Sequence, residues 1–390
     1  MRTRIFLSFC LVCALALLCC TPSKPVAQRQ ASAEVAQRFI REFPDPDSIH
    51  WVGESNHFSW QAGYIMFAME KMWHYTGDSL YYNYIKRYVD QQVMEDGSVP
   101  DFSPAALDNF LPGYALLFMY EQTGLDKYRT AATVVRDGFR DYPRASNGLY
   151  WHSTGWAREQ VWVDGVFMGQ IFQARYGRTV GDRDNAFADA ANQSIRMAEV
   201  AQKENGLLLH AWTETGRARW ADPETGLSPE VWSEGVGWYA VLMADVFDFL
   251  PEDDPAREQL LAITRKLCAG IKATQDPQTG LWCQVVDRCG DPGNWNETSG
   301  SAMFVYLLQK AINKGFVPEE EYRPVVDKGY EGLLTRMRRG DDGRIDLIDC
   351  SSIGVQDSYE QYISQPKEVS PFAAVASYII GTAICEFDRN

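Results

Sequence analysis

The chain has 390 residues, 46% of them hydrophobic, and carries a formal net charge of −15 from 52 acidic against 37 basic side chains. That balance excludes nucleic-acid binding, which needs a basic face, and argues against gripping a polyanionic polymer along its length. The apolar content suffices for a full core, and 13% aromatic residues with 12 Trp exceeds what packing alone normally uses.

The chain begins Met1-Arg2-Thr3-Arg4, runs through an apolar stretch from Ile5 to Leu18 and reaches Cys19-Cys20-Thr21-Pro22. A basic start and a short apolar run are the layout of a cleaved export signal, not of a membrane span. The cysteine before a polar segment makes residues 1–20 resemble a bacterial lipoprotein signal. Cys20 is the residue expected to carry lipid and anchor the protein in the cell envelope, with Cys19 the alternative, although Leu17-Leu18 stand where a small residue is usual. An ordinary secretory signal is the competing reading. Residues 21–33, with Pro22, Ser23, Lys24, Pro25 and a Gln/Ala/Ser run, are expected to be a flexible tether. No Pro/Gly/Ser-rich break or charge run divides residues 34–390, so they are expected to form one domain.

Within that domain apolar residues recur at helical spacing in pairs of segments. Tyr64, Phe67, Ala68, Met72 and Tyr75 lead to Thr76-Gly77-Asp78 and a helix through Tyr81, Tyr84, Ile85 and Tyr88. Leu116 to Tyr120 leads to Thr123-Gly124 and a helix from Tyr128 to Phe139. Met168 to Tyr176, Trp238 to Leu250 and Ala302 to Ile312 are each followed in the same way by a turn and a second helix. With a final helix near Ala373 to Glu386 this makes about six pairs at a period of roughly 50 to 60 residues, the self-similarity of a helical array. The fold class is all-α.

A second periodic signal lies between the pairs: Gly148-Leu149-Tyr150-Trp151-His152, Gly206-Leu207-Leu208-Leu209-His210, Gly280-Leu281-Trp282-Cys283 and Gly343-Arg344-Ile345-Asp346. Each reads as a short strand-like piece in a long connection. Polar, glycine-containing stretches then start the next helix: Trp162-Val163-Asp164-Gly165, Trp232 to Trp238, and Asn296 to Ser301. If tight turns occupy one end of the hairpins and these connections the other, polar and aromatic residues converge on one face and make a pocket. Surplus Trp there would stack on the C–H faces of sugars.

Asp164 is the strongest candidate for chemistry. Burial against Trp162 would raise its pKa and suit a general acid, while a plain helix N-cap is the competing role. Asp108, in Leu107-Asp108-Asn109-Phe110, is either a second cap or a partner tuning Asp164. His210 and Trp212 combine a hydrogen-bonding ring with a stacking one. Only five histidines occur, none at metal-ligand spacing, and no G-x-S-x-G, P-loop or dinucleotide fingerprint is present, so neither a metal nor a cofactor is expected. Beyond the signal, Cys268, Cys283, Cys289, Cys350 and Cys385 are an odd set without C-x-x-C pairs; Cys283 with Cys289 is one candidate bridge.

Taken in order, the stretches Leu107 to Gly113, Trp162-Val163-Asp164-Gly165-Val166-Phe167-Met168, Trp232 to Trp238, and Gly280 to Asp287 leading to Glu297-Thr298-Ser299-Gly300-Ser301 resemble glycoside hydrolase family 105, the unsaturated rhamnogalacturonyl and related uronyl hydrolases. The resemblance spans nearly all of the mature chain. It implies an (α/α)6 barrel, in agreement with the hairpin count. It implies Asp164 as catalytic acid/base and Asp108 as its active-site support, with His210, Trp232 and Trp238 as pocket residues. The implied substrate is an oligosaccharide ending in a 4,5-unsaturated uronic acid, removed by hydration of the double bond. One departure stands out: rhamnogalacturonan-acting members commonly carry W-x-R-G-x-G-W where this chain has Glu234. An anion in place of a cation would alter that subsite, leaving His210 or Arg217 to meet the substrate carboxylate. A conventional glycosidase using Asp108 and Asp164 as a pair, and a non-catalytic sugar-binding lipoprotein, are the rival readings.

Overall fold

The computed structural model describes residues 30–50, 57–351 and 354–389. The segment expected to be an export signal, Cys20 and the expected tether up to residue 29 lie outside the described residues. In chain order the helices are α1 (Ala31–Glu42), α2 (Trp60–Thr76), α3 (Ser79–Gln92), α4 (Gly113–Thr123), α5 (Asp126–Asp137), α6 (Val163–Thr179), α7 (Arg183–Ala201), α8 (Ser233–Phe249), α9 (Arg257–Ala273), α10 (Thr298–Asn313), α11 (Glu319–Leu334), α12 (Tyr359–Ile363) and α13 (Phe372–Phe387).

Two helix types with different burial patterns decide the architecture. In α3 the buried residues are Tyr81, Tyr84, Ile85, Tyr88, Val89 and Gln92, a single stripe at i, i+3, i+4 and i+7, and α9 buries one stripe through Leu260, Thr264, Leu267 and Ile271. Such helices need one apolar neighbour and keep a wet face. In α8, α10 and α13 nearly every residue is buried, so these helices must be surrounded. The packing satisfies both demands: α2, α4, α6, α8, α10 and α13 each touch the next, and α13 returns to α2, closing an inner ring. Around it lie α3, α5, α7, α9, α11 and α1, each on its own inner helix. This is the (α/α)6 barrel expected from the motifs.

The sixth pair differs from the other five. Its inner helix α13 ends the chain and its outer partner α1 begins the domain, so no contiguous hairpin announces it. Helix α1 starts at Ala31, inside the segment expected to be tether, because Val35, Ala36 and Phe39 give it a face that buries. Glu386 of α13 holds its start: the carboxylate accepts the Ala31 N–H at 2.9 Å and the Tyr330 hydroxyl at 3.0 Å. An acid at a helix N-terminus also complements the helix dipole.

The tight turns lie at one end of the barrel. Gly77 and Gly124 close α2 and α4 in the left-handed conformation (φ 66° and 67°), which costs glycine least. The long connections lie at the other end and hold small antiparallel pairings: β1 (Val161–Trp162) with β2 (Ala211–Trp212), β3 (Trp282–Cys283) with β4 (Asn296–Glu297), and β5 (Met337–Arg339) with β6 (Ile345–Leu347). Cys283 and Cys289 are disulfide-bonded, while Cys268, Cys350 and Cys385 are free and buried. Inside the ring an aromatic cluster fills the axis. Phe167 of α6 stacks on Trp238 of α8 at 5.4 Å, and Tyr64 of α2 meets Trp238 at 4.6 Å. Trp238 is the top of that plug and the floor of what lies above it.

Candidate active site

Above the plug, at the end bearing the long connections, is a cavity of about 540 Å³. That is the size of a pocket for a small ligand. Asp108, Asp164, Glu234, His152, Trp162 and Trp238 line it, together with Trp60, Gln61, Trp156 and Met168. No lysine or arginine lines it among the described residues, and no group of side chains there could hold a metal ion.

Asp164 is the second residue of α6, and Trp162 occupies the cap position. The plain N-cap role therefore does not apply. The Asp164 carboxylate meets His210 instead, with Oδ2 at 2.5 Å from Nε2. Burial alone would raise the Asp164 pKa, but His210, with a further contribution from His152, outweighs burial and holds it below the ordinary carboxylate range. The elevated acid expected from the neighbouring aromatics is thus corrected by a partner that the expectation left out.

Asp108 lies in a 3-10 turn, Leu107–Phe110, and caps nothing with its side chain. Its Oδ2 is 3.6 Å from Nε2 of His152. Burial works to lower the His152 pKa, but Asp108 beside it and Asp164 beyond outweigh that and hold it above the usual histidine value. The cavity is therefore faced by two carboxylate–imidazole pairs. Aromatic rings tie them together: Trp162 stacks on His152 at 4.5 Å and lies 5.6 Å from His210, Trp156 meets His152 at 5.0 Å, and Trp232 meets His210 at 4.8 Å.

Not every expected pocket residue reaches the cavity. His210 is fully buried behind Asp164, and Trp232 is buried behind His210, its indole N–H donating to Ser351 Oγ at 3.0 Å. Trp212 sits in β2 with its indole N–H on the Thr225 carbonyl, and Arg217 is exposed outside the lining. These residues support or flank the site without forming its wall. Sequence reasoning passed over His152, Trp156 and Gln61. His152 had a signal, since it stands four residues after Gly148 as His210 stands four after Gly206.

Glu234 also departs from expectation. It is 1% exposed, and burial together with the neighbouring Glu297 carboxylate pushes its pKa well above the ordinary range. The position offers a neutral acid instead of the expected anion.

Residues 31–387 match the sequence model of the family described as Glycosyl Hydrolase Family 88. The chain belongs to glycosyl hydrolase family 88. It is 27% identical over 315 residues to the unsaturated rhamnogalacturonyl hydrolase YesR of Bacillus subtilis, a match covering 79% of this chain and 84% of that protein. It is 39% identical over 180 residues to the 24.9 kDa protein in the picA locus of Rhizobium radiobacter, across 45% of this chain and 76% of that one. Among solved structures it resembles a family 105 glycoside hydrolase of C. acetobutylicum with a TM-score of 0.84 and 26% identity, covering 92% of this chain and 99% of the other. The likeness to family 105 read from the motifs is borne out, and the family 88 chain is a glycoside hydrolase. The reading as a non-catalytic sugar-binding module is set aside.

Proposed function

We propose that this hydrolase removes a 4,5-unsaturated galacturonyl or glucuronyl residue from the non-reducing end of oligosaccharides produced by a polysaccharide lyase. The observation that carries the proposal is Asp164, a carboxyl at the cavity wall with a single tight partner, His210, and an aromatic surround. The name of the B. subtilis relative supports the substrate class.

In the proposed reaction protonated Asp164 gives its proton to C4 of the double bond, and the cation that forms at C5 is stabilised by the ring oxygen. Water adds at C5 and returns a proton to Asp164. The resulting hemiketal opens, and the partner sugar leaves as its free alcohol. A single carboxyl can carry both proton transfers, whereas ordinary glycosidases need two carboxyls flanking the anomeric carbon. Asp164 is held ionised in the free enzyme, but a substrate carboxylate brought close opposes a second negative charge and raises its pKa toward the protonated form that the reaction needs. His152, paired with Asp108, sits against the start of α6 beside Asp164, where its positive charge helps to hold the carboxylate.

The test is ultraviolet absorbance of the unsaturated uronate in lyase digests of pectin, glycosaminoglycan and arabinogalactan. Absorbance should fall with the wild type and persist with Asp164→Asn, and the responding digest would name the substrate. Unchanged absorbance in all digests, with saturated oligosaccharides cut instead, would point to a conventional glycosidase. We also propose that the enzyme is exported and anchored through Cys20, which the character of residues 1–20 supports.

A further inference from the structure

Besides His152, whose Nδ1 has no partner, two polar side chains in the cavity wall are almost wholly buried and have unpartnered atoms. Gln61 of α2 is 1% exposed, and neither its amide oxygen nor its nitrogen is hydrogen-bonded. Glu234 of α8 is equally buried, and its Oε1 is unpartnered. Helices α2 and α8 stand opposite each other in the inner ring, and their starts approach over the plug, where Trp60 meets Trp238 at 6.0 Å. A buried polar group without a partner costs about 1–3 kcal/mol, so two of them in one cavity mark a place where something polar belongs.

The hydrogen bonds on the far side of Glu234 define what it can offer. Ser299 Oγ is 3.0 Å from Glu234 Oε2 and 2.5 Å from Glu297 Oε1. One hydroxyl has one proton, and the shorter contact claims it for Glu297. Glu297 is otherwise surrounded by donors, namely the N–H groups of Ser299, Gly300 and Ser351 and the Ser233 hydroxyl. The 3.0 Å contact is then held by a proton on Glu234 Oε2, in line with the neutral state that its burial favours. Its unpartnered Oε1 is left as an uncharged acceptor. Gln61 supplies one more acceptor and an N–H donor.

We infer that Gln61 and Glu234 form a subsite for a pair of sugar hydroxyls, and not for the carboxylate: hydroxyls donate to Glu234 Oε1 and Gln61 Oε1 and accept from Gln61 Nε2, whereas a carboxylate, which only accepts, would face two acceptors. This rests on the uronyl-hydrolase reading for the identity of the sugar. It replaces the charge inversion expected at position 234 with an uncharged hydroxyl-binding wall.

The test is binding, followed by tryptophan fluorescence on Asp164→Asn protein, of an unsaturated uronyl disaccharide and of its methyl ester. Loss of one such hydrogen bond corresponds to about tenfold in affinity. Glu234→Leu and Gln61→Leu should each weaken both ligands by about that factor, while Glu234→Gln, which keeps the carbonyl acceptor and a donor to Ser299, should bind nearly as the parent. Three results would overturn the inference: losses confined to the free acid, Glu234→Gln as weak as Glu234→Leu, or no change with either leucine variant, absence of all binding included. Because no turnover is required, wild-type protein that fails to hydrate any digest while these binding effects appear would sink the reaction and leave the subsite standing. Turnover without them would do the reverse.

Discussion

Asp164 illustrates how one neighbour reverses a prediction made from burial. With His210 at 2.5 Å the free enzyme holds the carboxyl ionised, and in the proposed reaction substrate binding must raise its pKa before it can donate. Activity that depends on protonated Asp164 is lost as pH rises, and the loss should set in at lower pH for kcat/KM, which reports the free enzyme, than for kcat, which reports the complex. Parallel pH profiles would contradict this. Glu234 shows the opposite shift with a consequence for stability. Its folded pKa is raised, so between the unfolded value and the folded one the native state binds more protons, and stability falls as pH rises through that window. Glu234→Gln removes that slope. Its melting temperature should exceed the wild type's at neutral pH, with the gap closing toward acid; a gap that does not depend on pH would contradict the neutral-acid assignment. Gly235 is where His210 rests: a Cβ there would lie 2.8 Å from the ring's Cδ2. Gly235→Ala should therefore lower kcat by displacing His210 from Asp164.

At the scale of elements, what was legible in the sequence follows from which helices have one wet face. The outer helices announce themselves by spacing, and the tight turns by Thr-Gly-Asp and Thr-Gly pairs, so five hairpins were readable. Helix α1 was not, because its apolar face is short and its partner α13 lies at the other end of the chain. Asp164 was legible because it opens a buried helix, and Asp108 because it lies in the polar turn that leads into one. The pairing of each acid with a histidine was not, since β1–β2 register and the loop after α5 bring those rings in from a later segment of the same repeat. Trp156 came from an irregular loop with no periodic signal; it is 64% exposed yet packs on His152 and Trp162 at the cavity mouth. An exposed indole there has no packing reason to be large, so Trp156→Ala should raise KM severalfold and leave the melting temperature within about a degree or two, as surface substitutions do. An unchanged KM would remove Trp156 from the sugar path.

In the whole molecule, one design is repeated around the ring and varied. Asp164, Glu234 and Glu297 stand at the starts of three consecutive inner helices, α6, α8 and α10, where helix dipoles favour negative charge, and Asp108 stands in the turn that precedes α4. The connections after α5 and α7 each return a histidine to the acid of their own repeat; the one after α9 has Gln284 at that offset, and there the acids are buried and bridged by Ser299. The proposed chemistry thus falls where the repeat keeps both acid and histidine. At the opposite end the ring is held by charge. Asp245 of α8 is fully buried between Lys71 of α2, at 2.5 Å, and Lys310 of α10, with the Tyr306 hydroxyl at 2.7 Å. Removing one partner of such a cluster leaves the others uncompensated, so Asp245→Ala should cost about 3–5 kcal/mol in denaturant unfolding. A loss below 1 kcal/mol would mean that the ring does not depend on this clamp.

The order of events in a single reaction tests the proposed chemistry most directly: loss of the alkene absorbance and release of the partner sugar, followed together on one unsaturated disaccharide. Hydration through Asp164 requires the double bond to disappear no later than the partner sugar is released. Partner sugar released ahead of the absorbance change would mean that the glycosidic bond is cut first, and would contradict it.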